Sequence, residues 1–204
     1  MINSILCYGD SNTWGFDPRS GSRFAGDTRW PGVLQKCLGS RFRVIEEGLN
    51  GRTVHDYYPE GNLLNGAENL PACITAYSPL SVVIVFLGIN DLFCERDLPV
   101  ESLPERLGRA IDSAAESHFG SVLLVAPLPI NQSAANAALY EHETAKSKLL
   151  AAEYRRVAER LGWLFLNPSE VITASAVDGV HIDAQDHIKL GHRIFDLLES
   201  SPWF

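Results

Sequence analysis

The 204 residues are 46% apolar and 21% charged, a balance that predicts one globular domain spanning 1–204 with a core large enough to need no staples. A formal net charge of −8 leaves no excess of Lys or Arg to neutralise phosphates, which argues against a nucleic-acid partner. No stretch reaches the ~18 apolar residues of a membrane span, so no membrane partner is expected.

Residues 3–8 predict a first strand, ending in the apolar run Ile5-Leu6-Cys7-Tyr8. That run lacks a basic leader and stops after four residues in Gly9-Asp10-Ser11-Asn12, so it is not read as a signal peptide. A serine at the end of a buried strand, on a sharp turn into a helix, exposes its hydroxyl and aims its own N–H at the same point. Those are the needs of a nucleophile in acyl transfer. Asp10 beside it is expected to fix the turn by bonding backbone N–H groups. Trp14 and Phe16 follow, each either a pocket wall or plain core.

Residues 29–38 predict a helix capped by Asp27 or Thr28, and 42–46 a second strand. Asn50 and Gly51 come next. Glycine lets backbone approach a ligand closely, although a simple turn after a strand explains it as well. Residues 52–79, with Pro59, Gly61, Gly66 and Pro71, read as one long connection, usually functional or at an interface. Within it His55 lies where it can touch substrate. The β-branched run 81–87 predicts a central parallel strand buried on both faces. Gly88-Ile89-Asn90-Asp91 follows directly. Asn90 can aim its amide into the crevice, or the pair is an ordinary turn or cap. Phe93 is ambiguous between pocket and core.

A helix over 101–117, a strand over 121–126 stopped by Pro127 and Pro129, a helix over 137–161 ended by Gly162, a strand over 163–166 and a helix over 184–199 complete the pattern. Strands alternating with helices predict an α/β fold, a doubly wound sandwich of about five parallel strands, with ligands beyond the strands' carboxyl ends. Before the last helix stands Asp178-Gly179-Val180-His181. In a loop this spacing lets a carboxylate reach the imidazole, fix its tautomer and leave Nε2 as a base. The other five histidines are expected to be surface or structural. Cys7, Cys37, Cys73 and Cys94 show no Cys-x-x-Cys spacing and are read as reduced thiols of a cytoplasmic protein, with no metal site.

Each motif alone is weak. The Gly-Asp-Ser, Gly-x-Asn-Asp and Asp-x-x-His patterns together arise by chance at a rate on the order of one in two thousand, and all stand at predicted strand ends. Gly9-Asp10-Ser11-Asn12, Gly51, Gly88-x-Asn90-Asp91 and Asp178-x-x-His181 resemble the four sequence blocks of the SGNH hydrolases, also called GDSL esterases and lipases. Asp10-Ser11-x-Thr13-Trp14-Gly15, Arg29-Trp30-x-Gly32-Val33-Leu34, Val44-Ile45-Glu46-Glu47-Gly48-Leu49 and Asn65-Gly66-Ala67 are similar to the aryl esterase and perhydrolase branch. The resemblance runs from residue 2 to about residue 198. It implies a flavodoxin-like three-layer α/β/α sandwich, with Ser11 as nucleophile, His181 as base and Asp178 orienting that base. It places the oxyanion hole at the Ser11 N–H, the Gly51 N–H and the Asn90 side chain. It tips Trp14 towards the pocket, while Phe16 is read as core. Ile89 and Asn50-Gly51 depart from that branch, which often carries Thr and a Ser-Ala pair there, and both positions flank the expected acyl pocket.

The expected activity is hydrolysis of small, water-soluble acyl esters through an acyl-enzyme, without a cofactor, an alcohol or hydrogen peroxide being able to intercept the intermediate. A carbohydrate O-acetyl esterase is the alternative enzyme. A non-catalytic flavodoxin-like module cradling a phosphate at 9–12 is the alternative outside enzymes, and it leaves Asn90 and the Asp178–His181 pair idle. The apolar segment 127–130 and the 52–79 connection predict a homo-oligomer that narrows the site entrance. The apolar tail 201–204 is read as a docking segment.

Overall fold

The computed structural model describes residues 3–134 and 137–201. Five strands form one parallel sheet: β1 (Asn3–Gly9), β2 (Phe42–Gly48), β3 (Leu80–Phe86), β4 (Phe119–Val125) and β5 (Leu164–Leu166), in the order β2-β1-β3-β4-β5. Alternation along the strands explains why both faces are covered. In β1, Ile5 and Cys7 enter one apolar cluster and Leu6 and Tyr8 the other. In β3, Val82, Ile84 and Phe86 face one way and Val83 and Val85 the other. A parallel strand buried on both sides has no polar face, which is why these runs read as continuously apolar.

One face is covered by α2 (Trp30–Leu38) and α7 (Ala184–Glu199), whose Trp30, Leu34, Leu190 and Ile194 are buried. The other is covered by α3 (Gly66–Tyr77), α5 (Ser102–Asp112) and α6 (Glu141–Leu161). Two short helices, α1 (Ser11–Trp14) and α4 (Asp91–Cys94), leave the ends of β1 and β3. Gly162 ends α6 in the left-handed conformation, φ 70°.

Some expectations are corrected. The 52–79 connection contains α3, with Pro71 inside it. The missing Pro71 N–H is outweighed by a buried stripe of Ala67, Leu70 and Ile74 at helical spacing. Helix α2 starts at Trp30 with Arg29 as a cap that makes no side-chain bond, and neither Asp27 nor Thr28 serves. Residues 137–140 form a 3-10 turn before α6. Pro127, Leu128 and Ile130 are buried in the chain's own core, so of segment 127–130 only the half-buried Pro129 presents apolar surface. Residues 202–204 of the tail lie outside the described residues. Among the described residues no helix is long and apolar enough to cross a membrane.

The sheet order reverses direction between β1 and β3, the position where open α/β sheets form their ligand crevice. Ser11 leaves β1 and Asn90 follows β3, so both flank that crevice.

Candidate active site

The turn carrying Ser11 is held by main chain and by lack of space. Asp10 caps α1, its carboxylate accepting the Asn12 N–H at 2.9 Å. Removing such a cap costs about 0.5–2 kcal/mol. The neighbouring glycines are required by close approach: a Cβ on Gly9 would lie 2.3 Å from the Phe86 carbonyl oxygen, and one on Gly48 2.2 Å from the Trp14 nitrogen. The turn is therefore wedged between the ends of β2 and β3. Trp30, fully buried, donates its indole N–H to the Asn12 carbonyl at 3.1 Å from below. Ser11 is the first residue of α1, where a helix leaves its backbone N–H without an intrahelical acceptor.

His181 comes from the loop before α7, 170 positions later in the chain, and its Nε2 lies 2.9 Å from Ser11 Oγ. Its Nδ1 donates to Asp178 Oδ2 at 2.6 Å. Facing a carboxylate, Nδ1 must carry the proton, which leaves Nε2 as the acceptor for the serine hydroxyl. Asp178 Oδ1 accepts the N–H groups of Val180 and His181 at 2.9 and 3.0 Å, so the loop folds around its own carboxylate. Burial pulls the Asp178 carboxyl upward, but the bonds from the His181 ring and from these two amides outweigh it and hold the group below the usual carboxylate range. Asn12 Nδ2 ties the two loops by donating to Val180 O at 3.3 Å. A hydroxyl facing an imidazole whose other nitrogen faces a carboxylate is arranged to lose its proton as it attacks.

Across the crevice, Gly51 is exposed in a turn at φ 79°, a conformation that favours glycine. Half-buried Asn90 donates through Nδ2 to the Arg52 carbonyl at 2.9 Å. An amide NH₂ has two protons, so one remains for a ligand.

Two residues that the sequence reading passed over shape this side. Asp91, fully buried, accepts the Val54 and His55 N–H groups at 2.8 Å each. Desolvation pushes its carboxyl up to about 7, against the pull of those amides. Arg52 is also buried, and its guanidinium reaches back to the ends of β1 and β2. The available signals were the acid directly after Asn90 and the arginine directly after Gly51. Neither motif says which polar groups lose their water.

The remaining expected pocket residues scatter. Trp14 is half-buried, with the Arg23 guanidinium 5.4 Å from its ring centroid. Phe16, read as core, instead packs on the His181 ring with centroids 4.4 Å apart. Ile89 lies in the apolar core rather than open to the crevice, because its neighbours Leu87 and Leu92 draw the segment inward. Asn50 is exposed. Phe93 is exposed and meets Tyr140 edge-on at 5.1 Å. His55 pairs its Nε2 with Ser102 Oγ at 3.1 Å. Asp10 is buried, which pushes its carboxyl up to about 6, with the Asn12 amide and the charges of His181 and Arg52 pulling it back. His187 is fully buried and accepts the Trp30 N–H at 3.4 Å. Among the described residues no three His, Cys, Asp or Glu side chains converge to hold a metal ion.

The model of the GDSL-like lipase/acylhydrolase family matches residues 7–192. Among solved structures, a carbohydrate acetylesterase family member from Sinorhizobium meliloti is 32% identical, with 97% of each chain covered and a TM-score of 0.87. Est24, a carbohydrate acetylesterase also from Sinorhizobium meliloti, is 30% identical over 97% of this chain and 99% of its own, TM-score 0.85. The native M. smegmatis aryl esterase is 32% identical over 97% of this chain and 99% of its own, TM-score 0.86. Comparison with curated proteins returns no match.

Proposed function

The chain belongs to the GDSL-like lipase/acylhydrolase family and is a hydrolase of carboxylic esters, and from that premise we propose that it is a serine esterase working through Ser11, His181 and Asp178. The observation that carries the reading is the unbroken line from Ser11 Oγ to His181 Nε2 at 2.9 Å and from His181 Nδ1 to Asp178 Oδ2 at 2.6 Å. Ser11 Oγ attacks the ester carbonyl while His181 Nε2 takes its proton. The oxyanion accepts hydrogen bonds from the Ser11 N–H, the Gly51 N–H and the free proton of Asn90 Nδ2. His181 then returns the proton to the leaving alcohol, and the acyl group stays on Ser11. A water deprotonated by His181 attacks the acyl-enzyme, and collapse of the second oxyanion releases the acid and restores Ser11. These steps use protein groups and water alone.

The substrates we propose are small, water-soluble acetyl or short-chain aryl and alkyl esters, with Phe16 and Trp14 as the aromatic surface beside the triad. Alcohols or hydrogen peroxide that enter in place of water would give acyl transfer. A carbohydrate O-acetyl ester is the second reading, favoured by the two Sinorhizobium meliloti relatives. We also propose a homo-oligomer. Its support is now the exposed side chains of Leu63, Phe93, Leu139 and Val177, all in connections that leave the carboxyl ends of strands. Light scattering after size exclusion tests this, and a single species at 22.5 kDa across dilution would refute it.

The central test is labelling with a fluorophosphonate, which reacts with an activated serine. The wild-type protein should be labelled and should hydrolyse p-nitrophenyl acetate. Ser11→Ala should be folded, unlabelled and inactive. A folded Ser11→Ala protein with normal turnover sinks the reading. Turnover of acetylated xylo-oligosaccharides against p-nitrophenyl acetate separates the two substrate classes.

A further inference from the structure

Arg52 is the anomaly of the site. It is 4% exposed, yet it forms no ion pair with a carboxylate among the described residues. A buried cation is costly unless something compensates it. Here its hydrogen bonds go to main-chain carbonyls, its guanidinium lies against one ring, and the charge it acts on is the buried Asp10 carboxyl. Nη1 donates to Gly9 O at 3.0 Å and to Glu47 O, Nε donates to Leu63 O at 3.3 Å, and the guanidinium carbon lies 4.1 Å from the Tyr8 ring centroid.

Those acceptors stand at the places an oxyanion hole depends on. Gly9 is the last residue of β1, two positions before Ser11. Glu47 is in the last turn-ward step of β2, from which the chain runs to Gly51. The Arg52 main chain completes the set. Its N–H donates to Leu49 O at 3.1 Å and closes the turn that presents Gly51. Its carbonyl accepts Asn90 Nδ2 at 2.9 Å and so orients the amide. One residue thus bonds to the framework of all three donors.

We infer that Arg52 is a positioning residue whose buried guanidinium sets the spacing of the oxyanion hole, by pinning the Gly51 turn to the strand end that carries Ser11. The inference rests on the triad reading above. A guanidinium suits the task because its rigid fork holds several carbonyls in one plane, where a lysine supplies one mobile point charge. Its positive charge also favours negative charge that develops at the donors it braces.

The test uses Arg52→Met and Arg52→Lys in the full chain, with p-nitrophenyl acetate kinetics and a cycle against Asn90→Ala. Arg52→Met should lower kcat by ~10–100-fold and change KM by less than about threefold, because displaced donors matter mainly in the transition state. Arg52→Lys should fall between it and the wild type. The double variant Arg52→Met/Asn90→Ala should lie within about fivefold of Asn90→Ala alone, since a hole already broken has little left to lose. Losses that multiply in full, a loss confined to KM, or an Arg52→Lys protein with wild-type kcat would each overturn the inference. Where Arg52→Met does not fold, the same cycle is read with Arg52→Lys. All folded Arg52 variants should still react with a fluorophosphonate at Ser11. A wild-type protein that fails to react overturns the functional reading instead, so the two failures are told apart.

Discussion

The floor and the rim of the crevice are built by opposite means. Beneath Ser11, polar groups are buried and answered mainly by the backbone: Asp10 by the Asn12 amide, Asp91 by those of Val54 and His55, Arg52 by the carbonyls of Gly9 and Leu63. On the segments that leave the carboxyl ends of the strands, Leu63, Phe93, Leu139 and Val177 stand exposed and apolar. The floor is tightly held, because each of these charged side chains is tied to main-chain groups of a neighbouring segment or turn. The rim carries no such constraint. Geometry that must be exact to a fraction of an ångström is placed where the chain has no alternatives, and geometry that selects a substrate is placed where it can vary.

If the comparison is right, the largest effects come from the floor and its loops. Asp178→Asn should keep the fold and lower kcat by ~10⁴, since an amide lets the imidazole take the wrong tautomer. Steady-state kinetics decide it, and a loss of less than tenfold would remove Asp178 from the line. Asn90→Ala should lower kcat by ~10²–10³ with a much smaller change in KM. An effect on KM alone would make Asn90 a ground-state contact.

A third prediction concerns acid. Desolvation, then the nearby charge of His181, hold His187 neutral down to about 3, with Asp186 pulling the other way. In the unfolded chain a histidine takes its proton near 6.5, so between those values the unfolded state binds more protons and stability is lost as pH falls. Asp10 and Asp91, raised to about 6 and about 7, act with the opposite sign: their contribution is present at low pH and is lost as pH rises through those values. Replacing His187 isolates its share. The Tm of His187→Leu should fall less steeply than that of the wild type below pH 6.5, the gap corresponding to a difference in unfolding free energy on the order of 4 kcal/mol by pH 3. Parallel Tm–pH curves would refute it.

The smallest effects belong to the rim. Leu63→Ser and Phe93→Ser should change kcat/KM for an acetyl ester by no more than about threefold, the range of ordinary surface substitutions, while shifting the ratio of butyryl to acetyl turnover. A Phe93→Ser loss as large as that of Asn90→Ala would dissolve the distinction between floor and rim.

Legibility followed the same division. The strands could be read because a parallel strand buried on both faces leaves a continuous apolar run, as 81–87 does. The meeting of Ser11, Asp178 and His181, with Asn90 at the end of β3, could be read because the proposed chemistry needs particular residue types at fixed spacing at strand ends. Helix α3 was hidden because Pro71 and Gly66 signal a break, and only tertiary burial of Leu70 and Ile74 overrides them. Arg52 and Asp91 were hidden for another reason. A charged residue in a sequence looks solvated, and nothing local announces that a folded neighbour will take its water away. Phe16 was misread because one apolar residue after a turn packs in a core or on an imidazole ring with equal ease.

The bond between Ser11 and His181 also has a meaning for how the protein is made. During synthesis the serine leaves the ribosome before the partner that would arm it, which is 170 residues behind. Strand β1 lies between β2 and β3, so even its pairing waits for the segment that ends at Phe86. Until the loop around Asp178 docks, the nascent chain carries an ordinary alcohol rather than a reactive one. Onset of hydrolysis would therefore report that the loop around Asp178 has docked on the strand end that carries Ser11, and ester turnover can serve as a clock for that step.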